Sequence, residues 1–111
     1  MRSIRLLILA LAAAFAVPAL AADDIPVYKL VARDGKFEPA VLEVPAGTRF
    51  RLEVTNANNK AIEFESKDLK QEKVIPPGAK ATVNVSPLKA GEYIYFDEFQ
   101  QATSRGSVVA K

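Results

Sequence analysis

From residue 22 onward the chain consists of short segments in which apolar and polar residues alternate, and this period of two constrains the fold more than any other feature. The clearest example is residues 48–55. There Phe50, Leu52 and Val54 share one face, while charged and polar residues occupy the other. Such alternation predicts strands with one buried and one solvated face, whereas an amphipathic helix needs apolar residues three and four apart. We therefore expect an all-β domain.

Seven segments of this kind succeed one another at spacings of roughly 8–12 residues, separated by turns rich in glycine, proline and asparagine. They cover residues 27–33, 40–44, 48–55, 61–66, 79–85, 92–96 and 106–110. Residues 67–74 show no alternation, which indicates a long loop or a single helical turn. About seven to eight short strands in one domain predict a β-sandwich with Greek-key connections.

Tyr93 stands just after the turn at residues 86–91. A tyrosine in this position often donates its hydroxyl back across a Greek-key corner. The alternative is that Tyr93 is an ordinary core aromatic.

The first 21 residues have the pattern of a secretory signal peptide. Arg2 and Arg5 precede an apolar run, and residues 19–21, a triplet with a small residue at each end, follow it. The run is shorter than the roughly 20 residues that span a bilayer, which favours cleavage over an uncleaved anchor. We therefore expect a signal peptide at 1–21, a single domain at 22–111, and a periplasmic protein that does not span the membrane after processing.

Composition excludes several classes of function. Loss of Arg2 and Arg5 leaves 13 basic residues against 13 acidic ones, and this balance gives no reason to expect nucleic acid or an anionic membrane surface as a partner. The chain has no cysteine and no histidine, and its one methionine is Met1. Type 1 copper, haem, iron–sulfur clusters and histidine-based triads therefore lack the groups they use. We expect a protein that is not an enzyme.

Three segments resemble the cupredoxin-like domains. They are KFEPAVLEVPAGTRFRLEVTN (36–56), VIPPGAKATVNVSPLKAGEYIYF (74–96) and the closing GSVVAK. The resemblance covers essentially residues 27–111 and implies a Greek-key sandwich. Copper-carrying members place a histidine after the asparagine-ended strand, and a cysteine, a histidine and usually a methionine after the G-x-Y strand. The matching positions here are Glu63 or a neighbour, Asp97, Gln100 and the stretch 102–105, so the resemblance does not imply a copper centre.

A narrower resemblance concerns KAIEFES, residues 60–66. It is similar to a K-A-x-E-F/W-E segment in cupredoxin-like domains of bacterial periplasmic iron-uptake systems of the Efe and Ftr types. That likeness implies Glu63 and Glu65 as metal ligands and iron as the metal. It also implies a high-affinity membrane iron permease and other periplasmic uptake components as partners.

The residues themselves suggest how such a site is built. Residues two apart on a strand share a face, so Glu63 and Glu65 project together. In the resembled fold the loop after residue 96 lies near that strand and brings in Asp97 and Glu98, with Gln100 as a carbonyl donor. The predicted metal site is therefore Glu63, Glu65, Asp97 and Glu98, an oxygen set that suits iron, Mn(II) or Ca(II).

The alternative is an exposed, solvated strand face. Four lysines flank the segment: Lys60, Lys67, Lys70 and Lys73. They can neutralise the glutamates as weak surface ion pairs. Asp68 and Glu72, in the same stretch, are further ligand candidates outside the predicted set. Two functions follow: a metal-binding accessory protein of iron uptake, or a metal-free, degenerate cupredoxin that acts as a periplasmic protein-interaction module. For the second, Phe99 is a candidate partner contact.

Overall fold

The computed structural model describes residues 24–111, which form two β-sheets packed face to face. Nine strands occur in the order β1 (Val27–Arg33), β2 (Lys36–Glu38), β3 (Val41–Val44), β4 (Phe50–Asn56), β5 (Ile62–Ser66), β6 (Gln71–Ile75), β7 (Lys80–Val85), β8 (Gly91–Asp97) and β9 (Gly106–Ala110). One 3₁₀ turn, Glu98–Gln100, follows β8. The predicted all-β sandwich is confirmed. The predicted signal peptide, residues 1–21, lies outside the described residues.

The two sheets interleave along the chain. Sheet 1 has the strand order β2-β1-β4-β7, and sheet 2 has the order β3-β9-β8-β5-β6. Only the β1–β2, β5–β6 and β8–β9 connections stay within one sheet. The remaining connections cross between sheets, and they bring β5 beside β8 although about 30 residues separate them. No helix within residues 24–111 has the length and apolar character to cross a membrane.

The inner faces of the sheets form one core, as the alternation predicts. Its largest fully buried side chains include Leu30, Phe50, Leu52, Phe64 and Tyr95. Phe37, from sheet 1, meets Phe64 and Tyr95 edge-on, with ring centroids 5.9 and 5.2 Å away. Phe64 and Tyr95 themselves stack at 5.3 Å. These three rings join the sheets directly behind the paired ends of β5 and β8.

The interpretation of residues 67–74 as a loop or helical turn is wrong over its second half. A turn occupies residues 67–70, and residues 71–75 form β6, an edge strand that pairs with β5. Its residues Glu72–Val74 are all exposed. Because the three middle residues of this edge strand are exposed and only Ile75 is buried, β6 lacks the apolar alternation that revealed the other strands.

Tyr93 forms the predicted corner. Its hydroxyl donates to the carbonyl oxygen of Lys89 at 2.7 Å, and the ring packs against the core. The bond ties the start of β8 to the preceding turn, in the manner of a tyrosine corner.

Candidate metal centre

Three glutamates converge on the outer face of sheet 2. Glu63 and Glu65 point outward from β5 because they alternate with buried residues. In the antiparallel register, Glu65 lies directly opposite Glu72 of β6. One carboxylate oxygen of each of Glu63, Glu65 and Glu72 lies within 4.8 Å of the other two. We call these three residues the glutamate cluster.

Glu98 adjoins the cluster from the 3₁₀ turn. The end of β8 pairs with β5 in a register that sets Phe96 opposite Glu65, so the turn that follows lies beside the glutamates. The charge of Glu98 contributes to the raised pKa of both Glu63 and Glu65. Three carboxylates from β5 and β6 therefore meet on one face, and a fourth, on the 3₁₀ turn, lies near them.

The crowding raises the pKa of both strand glutamates. For Glu63 the largest cause is the side-chain hydrogen bond with Glu72, followed by partial desolvation and by the charges of neighbouring carboxylates. For Glu65 partial desolvation comes first, followed by the charges of Glu98 and Glu72. Like charges disfavour the ionised forms, and a bound cation reverses that effect.

The flanking lysines do not neutralise the cluster through ion pairs. The two salt bridges within residues 24–111 are Arg33–Glu38 and Lys111–Glu43, both elsewhere on the surface. The Lys73 ammonium instead lies 3.5 Å from the carbonyl oxygen of Thr82, across the edge of the sandwich. Of the four, Lys67 opposes the rise in the pKa of Glu65 by its charge. The alternative to a metal site is a solvated face on which these lysines pair with the glutamates. The structure does not contain such pairs among residues 24–111.

Asp97 is not part of the glutamate cluster. The residue is 2% exposed, and its Oδ1 accepts hydrogen bonds from the backbone amides of Glu63 at 2.9 Å and Phe99 at 3.0 Å. Its own amide donates to the hydroxyl of Ser104 at 2.8 Å. The structure thus uses this carboxylate to hold β5 against the 3₁₀ turn.

The remaining candidates are spread around the site. Asp68 accepts a hydrogen bond from the backbone amide of Ile94 at 2.8 Å, which fixes a loop rather than extending the cluster. The Gln100 side chain packs over the turn at Gly35, where an added Cβ would lie 2.6 Å from its Oε1. Phe99 is 56% exposed on the 3₁₀ turn.

The structure therefore brings Glu63, Glu65 and Glu98 together and adds Glu72, which the predicted set did not contain. The signal for Glu72 was cross-strand register: once β6 is known to pair with β5 through a tight turn, Glu72 falls opposite Glu65. The sequence pattern did not identify β6 as a strand, so it gave no reason to place Glu72 beside Glu65.

A Greek-key sandwich with this loop arrangement defines the protein as cupredoxin-like, and the absence of cysteine means that it has no type 1 copper site. The family model described as "Cupredoxin-like domain" matches residues 5–110, and the chain belongs to that family.

Its relatives include an uncharacterized protein of Rickettsia prowazekii, 39% identical over 87 residues, a match that covers 78% of this chain and 70% of the relative. Among solved structures, the metal binding domain of the Streptococcus pneumoniae Cu(I) exporting P-type ATPase CopA is similar with a TM-score of 0.71 and 14% identity, over 80% of this chain and 88% of that one. Auracyanin A, a blue copper protein of Chloroflexus aurantiacus, is similar with a TM-score of 0.67 and 12% identity, over 79% of this chain and 100% of auracyanin A. At such identities the likeness establishes the fold alone.

Proposed function

We propose that this protein is a non-enzymatic, periplasmic metal-binding accessory protein of iron uptake. It holds one hard cation on Glu63, Glu65 and Glu72, with Glu98 beside them. The observation that carries the proposal is the convergence of three carboxylate oxygens within 4.8 Å. Within residues 24–111, none of these three glutamates forms an ion pair with a lysine or arginine. Carboxylates in this number suit iron, Mn(II) or Ca(II), with water completing the coordination.

The position of the cluster favours transfer of a cation over permanent retention. Glu63 and Glu65 are half-buried and Glu72 is exposed, so the centre opens directly to solvent. An open site of oxygen ligands allows a cation to enter and leave without unfolding the sandwich. Iron as the cargo, and a high-affinity iron permease as the partner, rest on the likeness of residues 60–66 to iron-uptake domains.

A second candidate function is a metal-free interaction module. The observation that favours it is apolar exposure beside the cluster: Val74 is 57% exposed opposite Glu63, and Phe99 is 56% exposed next to Glu98. Apolar side chains at the rim of a charged patch are typical of a protein contact.

Cation titration separates the two functions. We would titrate Fe(II) anaerobically, then Mn(II) and Ca(II), into metal-free protein and into the Glu63→Gln/Glu65→Gln variant. The control variant Glu53→Gln/Glu92→Gln removes the same charge from β4, which lies in sheet 1, and from the start of β8, where Glu92 lies opposite Val109 of β9. We expect one cation per chain and a loss of affinity of at least about tenfold in the cluster variant alone. Equal affinities in all three proteins would leave the interaction module as the function.

A further inference from the structure

The neutral charge balance conceals a strongly basic face. On the side of the sandwich opposite the glutamate cluster, the outer face of sheet 1 exposes the cationic side chains of Lys29, Arg33, Lys36, Arg51 and Lys80, and that of Arg49 is exposed in the loop just before β4. The carboxylates on the strands of this face are those of Glu38 and Glu53, and Glu38 is already paired with Arg33. Separation of charge onto opposite faces gives each face its own ligand preference.

Two arginines on this face line one groove. Arg51 projects outward from β4, and Arg49, in the loop just before that strand, lines the same groove. The groove has a volume of about 290 Å³, and Asn84, Ser86 and Ile25 also line it. Among residues 24–111, no acidic residue lines it. Adjoining grooves extend it along Arg51 in one direction and along Arg49 in the other.

Asn84 holds the guanidinium of Arg51 in place. Its Oδ1 accepts from Arg51 Nε at 3.2 Å, which leaves the terminal N–H groups of the arginine fork for a ligand. With Oδ1 committed to the arginine, the Nδ2 of Asn84 is a further donor. The backbone carbonyl of Asn84 accepts from Gln71 Nε2 at 2.8 Å, so β7 is fixed at this point. The guanidinium therefore loses little freedom when it binds an anion.

The donor set matches a phosphate group. Two guanidinium groups, an amide N–H₂ and the Ser86 hydroxyl supply many donors and two positive charges, and a phosphate monoester carries about −1.5 to −2 charge at pH 7 with three acceptor oxygens. Neither arginine forms an ion pair within the described part of the chain. Asp24 and Glu53 border only the adjoining grooves.

We propose that Arg49 and Arg51, with Asn84 as the positioning residue, bind the phosphate group of an anionic ligand in this groove on sheet 1. The ligand is inorganic phosphate or a small phosphate monoester, or the same group carried by a phospholipid headgroup. Ile25 offers apolar contact to the part of the ligand beyond its phosphate. The site is independent of the proposed cation centre, because it lies on the other sheet.

Isotope-edited NMR titration of the metal-free protein tests the proposal with inorganic phosphate and with glycerol phosphate as probes. We expect saturable binding of one phosphate per chain, with shifts in the backbone amides of residues 49–51 and 84–86. The Arg49→Gln/Arg51→Gln variant should weaken binding at least about tenfold. The control Lys29→Gln/Lys80→Gln, with the same charge loss on the same face but outside the groove, should weaken it less than about threefold.

Two further variants test the role of Asn84 and the independence of the two sites. Asn84→Asp pairs Arg51 with a carboxylate inside the groove and should reduce phosphate affinity about as much as loss of Arg51. Glu63→Gln/Glu65→Gln should leave phosphate affinity unchanged, so failure of the cation centre and failure of this site are distinguishable. Absence of saturable phosphate binding, or equal weakening by the arginine and lysine variants, would overturn the proposal.

Vesicle binding identifies the source of the phosphate. The fraction of protein that sediments with phosphatidylglycerol vesicles is measured for wild type and for the arginine variant. Phosphatidylcholine vesicles, which carry no net charge, are the reference. Arginine-dependent binding to the anionic vesicles assigns a lipid headgroup. Saturable phosphate binding in solution without arginine-dependent vesicle binding assigns a free phosphate or monoester.

Discussion

The carboxylate of Asp97 accepts a hydrogen bond from the backbone amide of Glu63 at 2.9 Å. The same oxygen accepts from the amide of Phe99 at 3.0 Å, as the N-cap of the 3₁₀ turn. One buried side chain thereby fixes two pieces of backbone that carry the candidate ligands, the strand with Glu63 and Glu65 and the turn with Glu98. Asp97 positions this site from beneath, and the glutamates form its surface.

The Asp97→Ala substitution tests this arrangement. It leaves two amides without their acceptor at a site that is 2% exposed, so we expect the free energy of unfolding to fall by about 1–3 kcal/mol. Asp97→Asn keeps one acceptor oxygen and should cost less. Urea unfolding followed by circular dichroism measures both. An Asp97→Ala protein as stable as wild type would mean that these bonds do not hold the junction.

Gly106→Ala should destabilise the sandwich through the aromatic cluster. An added Cβ would lie 2.7 Å from Cε1 and Cζ of Tyr95, a fully buried ring that Phe37 and Phe64 hold in place. Overpacking of this kind costs about 1–3 kcal/mol. A double-mutant cycle with Tyr95→Leu checks the cause, because removal of the ring should reduce the cost of the alanine. If Gly106→Ala lowered the free energy of unfolding equally with Tyr95 and with Tyr95→Leu, the clash with the Tyr95 ring would not be the cause.

The raised pKa values of Glu63 and Glu65 predict a pH dependence of stability. The pKa of each glutamate in the folded state lies above the ordinary value of 4.5. Protonation of these two side chains therefore favours the folded state. Their contribution to the free energy of unfolding is fully present below pH 4.5 and is lost as pH rises through the folded-state pKa. In metal-free protein, Glu63→Gln/Glu65→Gln should therefore melt at a higher temperature than wild type at pH 7. The two melting curves should converge near pH 4. Scanning calorimetry in the presence of a chelator makes the comparison, and a constant difference at every pH would contradict it.

Copper-loaded protein should show no intense thiolate-to-copper absorption band. That transition requires a cysteine ligand, and the chain contains none. Visible spectroscopy after Cu(II) addition tests the expectation, with the free amino terminus blocked in a control sample because a terminal amine binds Cu(II) on its own. A blue product would overturn the reasoning from ligand chemistry.

Export should remove the signal peptide and leave Ala22 or Asp23 as the amino terminus, because a triplet with a small residue at each end, residues 19–21, follows an apolar run of signal length. Intact-mass analysis of protein recovered from the periplasm measures this directly. A chain that still begins at Met1 would indicate a retained anchor.

The sequence by itself determined the sandwich and most of its strands. Alternation is a local property, because each pair of neighbouring residues in 48–55 indicates which side of the strand is buried. The burial of β4 follows that pattern along its whole length. The turn chemistry of residues 86–91 likewise placed Tyr93, and its bond to Lys89 formed as expected. The shared face of Glu63 and Glu65 follows from the same period of two.

Only the tertiary structure decided which side chains meet. Glu72 joins Glu65 through strand register, and register depends on β6, an exposed edge strand with no alternation to reveal it. Asp97 turns inward at the end of the β5–β8 pairing, where the backbone amides of Glu63 and Phe99 need an acceptor. Arg51 and Asn84 are 33 residues apart and meet across β4 and β7, so the groove they share has no local signature. Periodicity is set within a few residues of chain, whereas a binding site is assembled from contacts between strands that are distant in sequence.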